Sequence, residues 1–173
     1  MSIRIVTDST CDLPAEVVRE NNITIVPMYI NVGSEAFRDG LDITRQEFYA
    51  QLPAFKHHPT TAAPSPGLFR QVYEQLAAEG VTEILSIHIA VKLSAVVEMA
   101  AQGAKETTAI PVTVLDSRQL SMGTGFQVLT AAQAAAAGRS MPEIVAMLEE
   151  QITRTRTFAA LDTLEFLRRS GRM

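Results

Sequence analysis

Four short stretches of this sequence carry small hydroxyl or carboxylate side chains where apolar, β-branched runs come to an end. The first is Asp8-Ser9, after the run Ile3 to Thr7. The second is HPTTAAPSPGLF, His58 to Phe69, which holds Thr61 and Ser65. The third, IAVKLSAVVE, places Ser94 at an expected helix start. The fourth, LDSRQLSMGTG, holds Ser117 and Ser121. Hydroxyls and the unpaired N–H groups of a helix's first turn donate hydrogen bonds to carboxylate or phosphate oxygens, and the helix dipole adds a favourable field there. Taken singly, each stretch has a plainer role, because Ser, Thr or Asp ahead of a helix satisfies its orphan N–H groups. Their recurrence after successive strands points further, to a pocket for a small anionic molecule along one edge of a sheet.

Other chemistries lack their residues. No Walker-type phosphate loop is present. Gly123 and Gly125 begin a dinucleotide fingerprint, but Val128 stands at the third glycine position. Asp8 and Asp12 are too far apart for a paired-aspartate phosphatase loop. His57 and His58 are adjacent, so their side chains diverge and make a poor metal pair. His88 sits in an apolar run and is expected as a satisfied strand histidine, and Cys11 as a packed thiol. No nucleophile–base pair for covalent catalysis is evident, and no catalytic residue, metal or cofactor is assigned.

The elements that position these stretches follow from periodicity and caps. Strands are expected at Ile3 to Thr7, Ile23 to Val32 with a bend near Pro27, Glu83 to Ile89, Val112 to Leu115, and Phe158 to Leu161. Helices are expected at Pro14 to Asn21, from Thr44, from Ser65-Pro66 to about Ala78, and from Ser94 to about Thr107. Further helices are expected from Met122 to Ala137, from Ser140, and from Asp162 to Ser170-Gly171. Thr44 with Glu47 and Ser140 with Glu143 are capping boxes. Strands alternating with helices at this spacing imply an α/β fold, with a mainly parallel sheet flanked by helices on both faces.

With 173 residues, 47% of them hydrophobic and 20% charged, the chain suits a globular domain. A formal net charge of −4 without a basic stripe argues against nucleic acid as a partner. One cysteine rules out an internal disulfide. No apolar run reaches the roughly 20 residues that span a bilayer, and no signal core precedes the first strand, so a cytoplasmic protein without membrane insertion is expected.

Five motifs, VTDSTCDLP, PTTAAPSPGLF, SIHIAVKLSA, VLDSRQLSMGTG and DTLEFLRRSGR, stand in the order and spacing of the DegV family, which the chain resembles over essentially its whole length. The resemblance implies two α/β domains with a fatty acid between them, its carboxylate held by hydroxyls. FakB-type members present that carboxylate to a partner fatty acid kinase and do not catalyse alone. On this basis residues 1–160 are expected as the N-terminal α/β domain. Residues 161–173 are expected as a final helix leading toward a second domain that is mostly absent. Thr61, Ser94, Asp8, Ser9 and Ser121 match positions of the family motifs and are the expected ligand residues, with Thr61 and Ser94 nearest the carboxylate. Ala62 replaces a serine of the family pattern, and Ala90 and Val91 replace its paired serines, which removes an expected carboxylate contact.

The expected function is therefore non-catalytic binding of a long-chain fatty acid, with a fatty acid kinase subunit as an implied partner. The site is expected to be an open apolar groove, covered by another copy of the chain as a homo-oligomer or by further protein. The alternatives are a small hydrolase or transferase using Asp8 and Ser9, and a structural fragment without a complete ligand site.

Overall fold

The computed structural model describes residues 2–173. In chain order the strands are β1 (Ile3–Asp8), β2 (Thr24–Val26), β3 (Tyr29–Val32), β4 (Glu35–Arg38), β5 (Thr60–Ala62), β6 (Glu83–His88) and β7 (Val112–Asp116). The helices are α1 (Ala15–Glu20), α2 (Arg45–Gln51), α3 (Pro66–Ala78), α4 (Val96–Glu106), α5 (Met122–Ala136), α6 (Met141–Arg154) and α7 (Glu165–Arg169). Short 3-10 turns follow β1 at Ser9–Cys11 and α2 at Leu52–Ala54.

A four-stranded parallel sheet in the order β2-β1-β6-β7 forms the centre. Both of its faces are covered, so its strands are apolar on both sides. Alternate residues divide between two cores. Ile5, Leu85, Ile87 and Leu115 face Val128 of α5 and Ile144 and Leu148 of α6. Val6 and Ile84 face Phe69 and Tyr73 of α3 and Val96 of α4. Each such side chain, when fully buried, contributes about 1.5–3 kcal/mol. The α/β class with helices on both faces is therefore as expected from the sequence.

Local caps form where the residues call for them. Thr44 and Glu47 make a reciprocal capping box on α2, and Ser140 and Glu143 make one on α6. Ser65 caps α3, accepting from the Leu68 amide, with Pro66 at the first helical position.

Several expected boundaries are corrected. The run Ile23 to Val32 is not one strand. It breaks at Pro27 into β2, which joins the parallel sheet, and β3, which leaves it. Proline has no N–H for a ladder, so pairing ends there. β3 instead pairs antiparallel with β4 and β5 in a small second sheet, with Ile30 opposite Thr61. The helix expected from Ser94 begins at Val96 with Ala95 at its N-cap, and no side chain caps it. Phe158 to Leu161 forms no strand. These residues are exposed and join neither sheet. Asp162 does not cap the last helix, because α7 starts at Glu165 with Leu164, two residues later, at its N-cap.

The parallel order has its switch point between β1 and β6. From β1 the chain moves outward to β2, then returns to the other side of β1 as β6 and continues to β7. Loops leaving the carboxyl ends of β1 and β6 therefore diverge, and a crevice opens between them. α5 packs against the turn after β1 so closely that a Cβ at Gly125 would overlap the Cys11 carbonyl oxygen. Gly125→Ala should therefore destabilise the domain by about 1–3 kcal/mol through overpacking. Gly67→Ala, whose Cβ would rest 3.9 Å from Ser65 Oγ, should be neutral or slightly stabilising. Thermal denaturation of the two variants side by side tests the contrast.

Candidate functional site

An open cleft of about 440 Å³ occupies the crevice at the switch point. Its polar lining includes Thr10 after β1, Thr61 of β5, Ser94 after β6, Ser121 after β7, and Arg172. Its apolar wall comes from Met28, Ile30, Phe48, Ile89, Leu93 and Leu120. Thr61, Tyr49 and Arg172 on its rim are exposed. At one end it shares Thr61 and Arg172 with a neighbouring hollow. At the other it shares Asp12, Asp39 and Arg45 with a second hollow of about 470 Å³.

Three of the five expected ligand residues, Thr61, Ser94 and Ser121, thus line one cleft although they come from separate segments. Thr61 Oγ1 accepts from Arg172 Nη2 at 3.3 Å, so its own proton remains available to a ligand. Among the described residues, the hydroxyls of Ser94 and Ser121 make no hydrogen bond within 3.5 Å. Arg172 is the residue that sequence reasoning missed. It also donates from Nε to the Leu93 carbonyl at 3.3 Å, which fixes its guanidinium beside the hydroxyls. The local signal was the S-G-R run of a motif, but nothing in the spacing brings Arg172 across the chain to Thr61.

Asp8 and Ser9 lie elsewhere. Both are buried and neither lines the cleft, although Ser9 borders the adjoining hollow that holds Asp12, Asp39 and Arg45. Ser9 Oγ accepts from the Met28 amide at 3.1 Å, and its carbonyl accepts from Arg45 Nη2 at 2.8 Å. Arg45 also forms an ion pair with Asp12. Asp8 accepts four hydrogen bonds. Thr10 N and Thr10 Oγ1 donate to Oδ1 at 3.0 and 2.5 Å, and His88 Nδ1 and the Ile89 amide face Oδ2 at 3.0 and 3.1 Å. Burial raises the Asp8 pKa, but the bonds from His88, Thr10 and Ile89 outweigh it and hold the carboxyl below its usual range. Thr10 therefore spends its proton on Asp8 and offers the cleft only lone pairs.

Contrary to expectation, a nucleophile–base pair does exist. Ser86 Oγ is 2.7 Å from His88 Nε2, and His88 Nδ1 is 3.0 Å from Asp8, the connectivity of a serine triad. It is sealed, since Ser86, His88 and Asp8 all have 0% exposure and Ser86's other neighbour is the Tyr73 hydroxyl. His88 is the satisfied core histidine expected. Cys11 is likewise packed, and burial pushes its thiol up.

The two loops beyond β6 and β7 brace each other. The Ala90 amide donates to the Gln119 carbonyl at 2.9 Å, and Asp116 Oδ1 accepts from the amides of Val91 and Arg118. Ala90 and Val91 do not line the cleft. Ser117 is also absent from the lining, being buried against Thr124 and Gln119. Ser121 has φ 53° and ψ −141°, a backbone region in which side-chain-bearing residues are strained. Among the described residues no group of three His, Cys, Asp or Glu side chains is placed to hold a metal ion, and no helix is long and apolar enough to cross a membrane.

Comparisons with known proteins give the family and the fold. Residues 2–173 match the family profile described as "Uncharacterised protein, DegV family". A DegV domain-containing protein of Deinococcus radiodurans is 40% identical over 173 residues, covering 100% of this chain and 61% of that protein. A DegV family protein from Thermus thermophilus, described as binding fatty acid, superposes with a TM-score of 0.88 at 37% identity, over 99% of this chain and 60% of the other. DegV from Bacillus subtilis, described as a fatty acid binding protein, gives a TM-score of 0.91 at 28% identity, over 99% and 61%. The chain thus spans about three-fifths of the length of the relatives it matches.

Two outcomes are expected from this geometry. Ser121→Gly should raise the melting temperature by a few degrees, because roughly 1–3 kcal/mol of backbone strain is relieved against about 0.5–1 kcal/mol of added chain entropy. Asp8 titrates below its unfolded value, so its contribution to stability is present above about pH 4 and is lost as the pH falls through the lower folded value. Urea unfolding from pH 7 to pH 2.5 should show the gap between wild type and Asp8→Asn shrinking on the acid side.

Proposed function

The chain belongs to the DegV family, and from that premise we propose that it is a non-catalytic, cytoplasmic binder of a long-chain fatty acid. The carboxylate sits where Thr61, Ser94 and Arg172 meet, with Ser121 as a further donor. One observation carries this reading: hydroxyl donors and a guanidinium lie together in a cleft that also presents the apolar side chains of Met28, Ile30, Phe48, Ile89, Leu93 and Leu120. A guanidinium and hydroxyls suit a carboxylate, because charge-assisted hydrogen bonds are roughly twice as strong as neutral ones. The apolar wall suits a tail, because each buried CH₂ gains about 0.8 kcal/mol. The fatty acid binding ascribed to the Thermus thermophilus and Bacillus subtilis proteins supports the choice of ligand.

The exposed rim means that a tail lying in the cleft needs a second wall to bury it fully. A second copy of the chain, or the length that the relatives have beyond the match, would supply one. A fatty acid kinase subunit acting on the carboxylate would approach from the Arg172 end. The hydrolase alternative on Asp8 and Ser9 is not favoured, because neither residue reaches the cleft and the Ser86–His88 pair is sealed in the core.

Calorimetric titration with oleate tests the proposal. Thr61→Val should weaken binding about tenfold, the worth of one hydrogen bond to a charged group. Its melting temperature should hold, since Thr61 is exposed. Arg172→Met should weaken binding at least as much. Wild-type protein that takes up no oleate, and carries no lipid in native mass spectrometry, would sink the proposal.

A further inference from the structure

The ligand reading leaves without a role the row of Tyr73, Ser86, His88 and Asp8 inside the core. All four side chains have 0% exposure. Tyr73 OH lies 2.8 Å from Ser86 Oγ, Ser86 Oγ lies 2.7 Å from His88 Nε2, and His88 Nδ1 lies 3.0 Å from Asp8 Oδ2.

The direction of the protons follows from bookkeeping. A carboxylate only accepts, so His88 Nδ1 carries the proton it donates to Asp8. Tyr73 has Ser86 as its one hydroxyl partner among the described residues, so its proton goes to Ser86 Oγ. The Ser86 proton then goes to Nε2, which must be bare. A doubly protonated His88 would turn the Ser86 hydroxyl toward Tyr73 and strand the Tyr73 proton in the core, where unsatisfied donors are rare. The row therefore runs one way, from Tyr73 through Ser86 and His88 to Asp8.

Its far end holds the cleft. Asp8 Oδ2 accepts from the amide of Ile89, the first residue after β6, while Oδ1 holds Thr10. Ile89 and Thr10 both line the cleft. Residues 89–94 then supply the Leu93 carbonyl that anchors Arg172, and Ser94 itself. We infer that Asp8, oriented by His88, is the positioning residue of the cleft, fixing the 89–94 segment through the Ile89 amide so that Ser94 and Arg172 stand ready for the carboxylate. The ligand named here rests on the proposed function; the positioning itself does not.

Asp8→Asn tests the inference. Thr10 presents two donors, so the carbonyl oxygen of the substituted amide stays on Thr10, and its nitrogen turns a donor toward the Ile89 N–H. Hydrogen exchange in ligand-free protein should then quicken at Ile89 by about tenfold, while Thr10 and the core amides of Val6 and Leu85 keep their rates. A uniform change across all four amides would mean a merely structural role and overturn the inference, as would a folded variant with Ile89 unchanged. Oleate affinity of the folded variant should fall about tenfold, in line with a displaced carboxylate donor. If the wild type binds no oleate, the fatty acid reading fails and the exchange rates still decide the positioning. Should Asp8→Asn not fold, the wild-type imidazole nitrogen shifts decide. Nδ1 protonated with Nε2 bare is expected, and the opposite tautomer or an imidazolium overturns the row.

Discussion

The buried carboxylate of Asp8 ties the turn after β1 to the end of β6, the two segments between which the cleft opens. Placing a charge in the core costs several kcal/mol unless hydrogen bonds replace its water. Here four do, and they arrive from the turn after β1 and from the end of β6. The same bonds that make the burial tolerable also fix the two backbones between which the crevice opens. The cost of a buried charge is thereby converted into a fixed geometry at the switch point of the sheet.

The rest of the site is built outward from that point by hydrogen bonds between loops. The loop after β6 leans on the loop after β7 through the Ala90–Gln119 and Val91–Asp116 bonds. The loop after β7 is held in turn to the segment beyond α6, since Gln119 donates to the Thr155 carbonyl and accepts from Thr157. Ala90 and Val91 enter this frame through their amides, so it does not depend on their side chains. The small β3–β4–β5 sheet adds the remaining wall and carries Thr61 to it.

Local signals were legible in the sequence. Capping boxes at Thr44 and Ser140, the Ser65-Pro66 start, and the apolar runs of β1, β6 and β7 each depend on neighbours a few residues away. What escaped depends on distant partners. β4 and β5 are short and largely exposed, so no periodicity marks them. Phe158 to Leu161 has strand-like residues but no partner strand. Asp8 and His88 are 80 positions apart, and Arg172 and Thr61 are 111 apart. No spacing rule joins such pairs, which is why the sealed triad and the place of Arg172 beside Thr61 were both invisible. Asp8 and Ser9 do form a polar strand end at the switch point, but bonds to Thr10, Met28, His88 and Ile89 turn their side chains away from the cleft.

The two ends of the cleft differ in kind. Around Thr61, Ser94 and Arg172 the wall gives protons away. Around Thr10, Asp12 and Asp39 it holds lone pairs and negative charge, with Arg45 already paired to Asp12. The cavity is thus a vector rather than a slot. An anionic tip placed in the cleft would meet donors at one end and mostly acceptors at the other, so the lining itself would favour one orientation over its reverse.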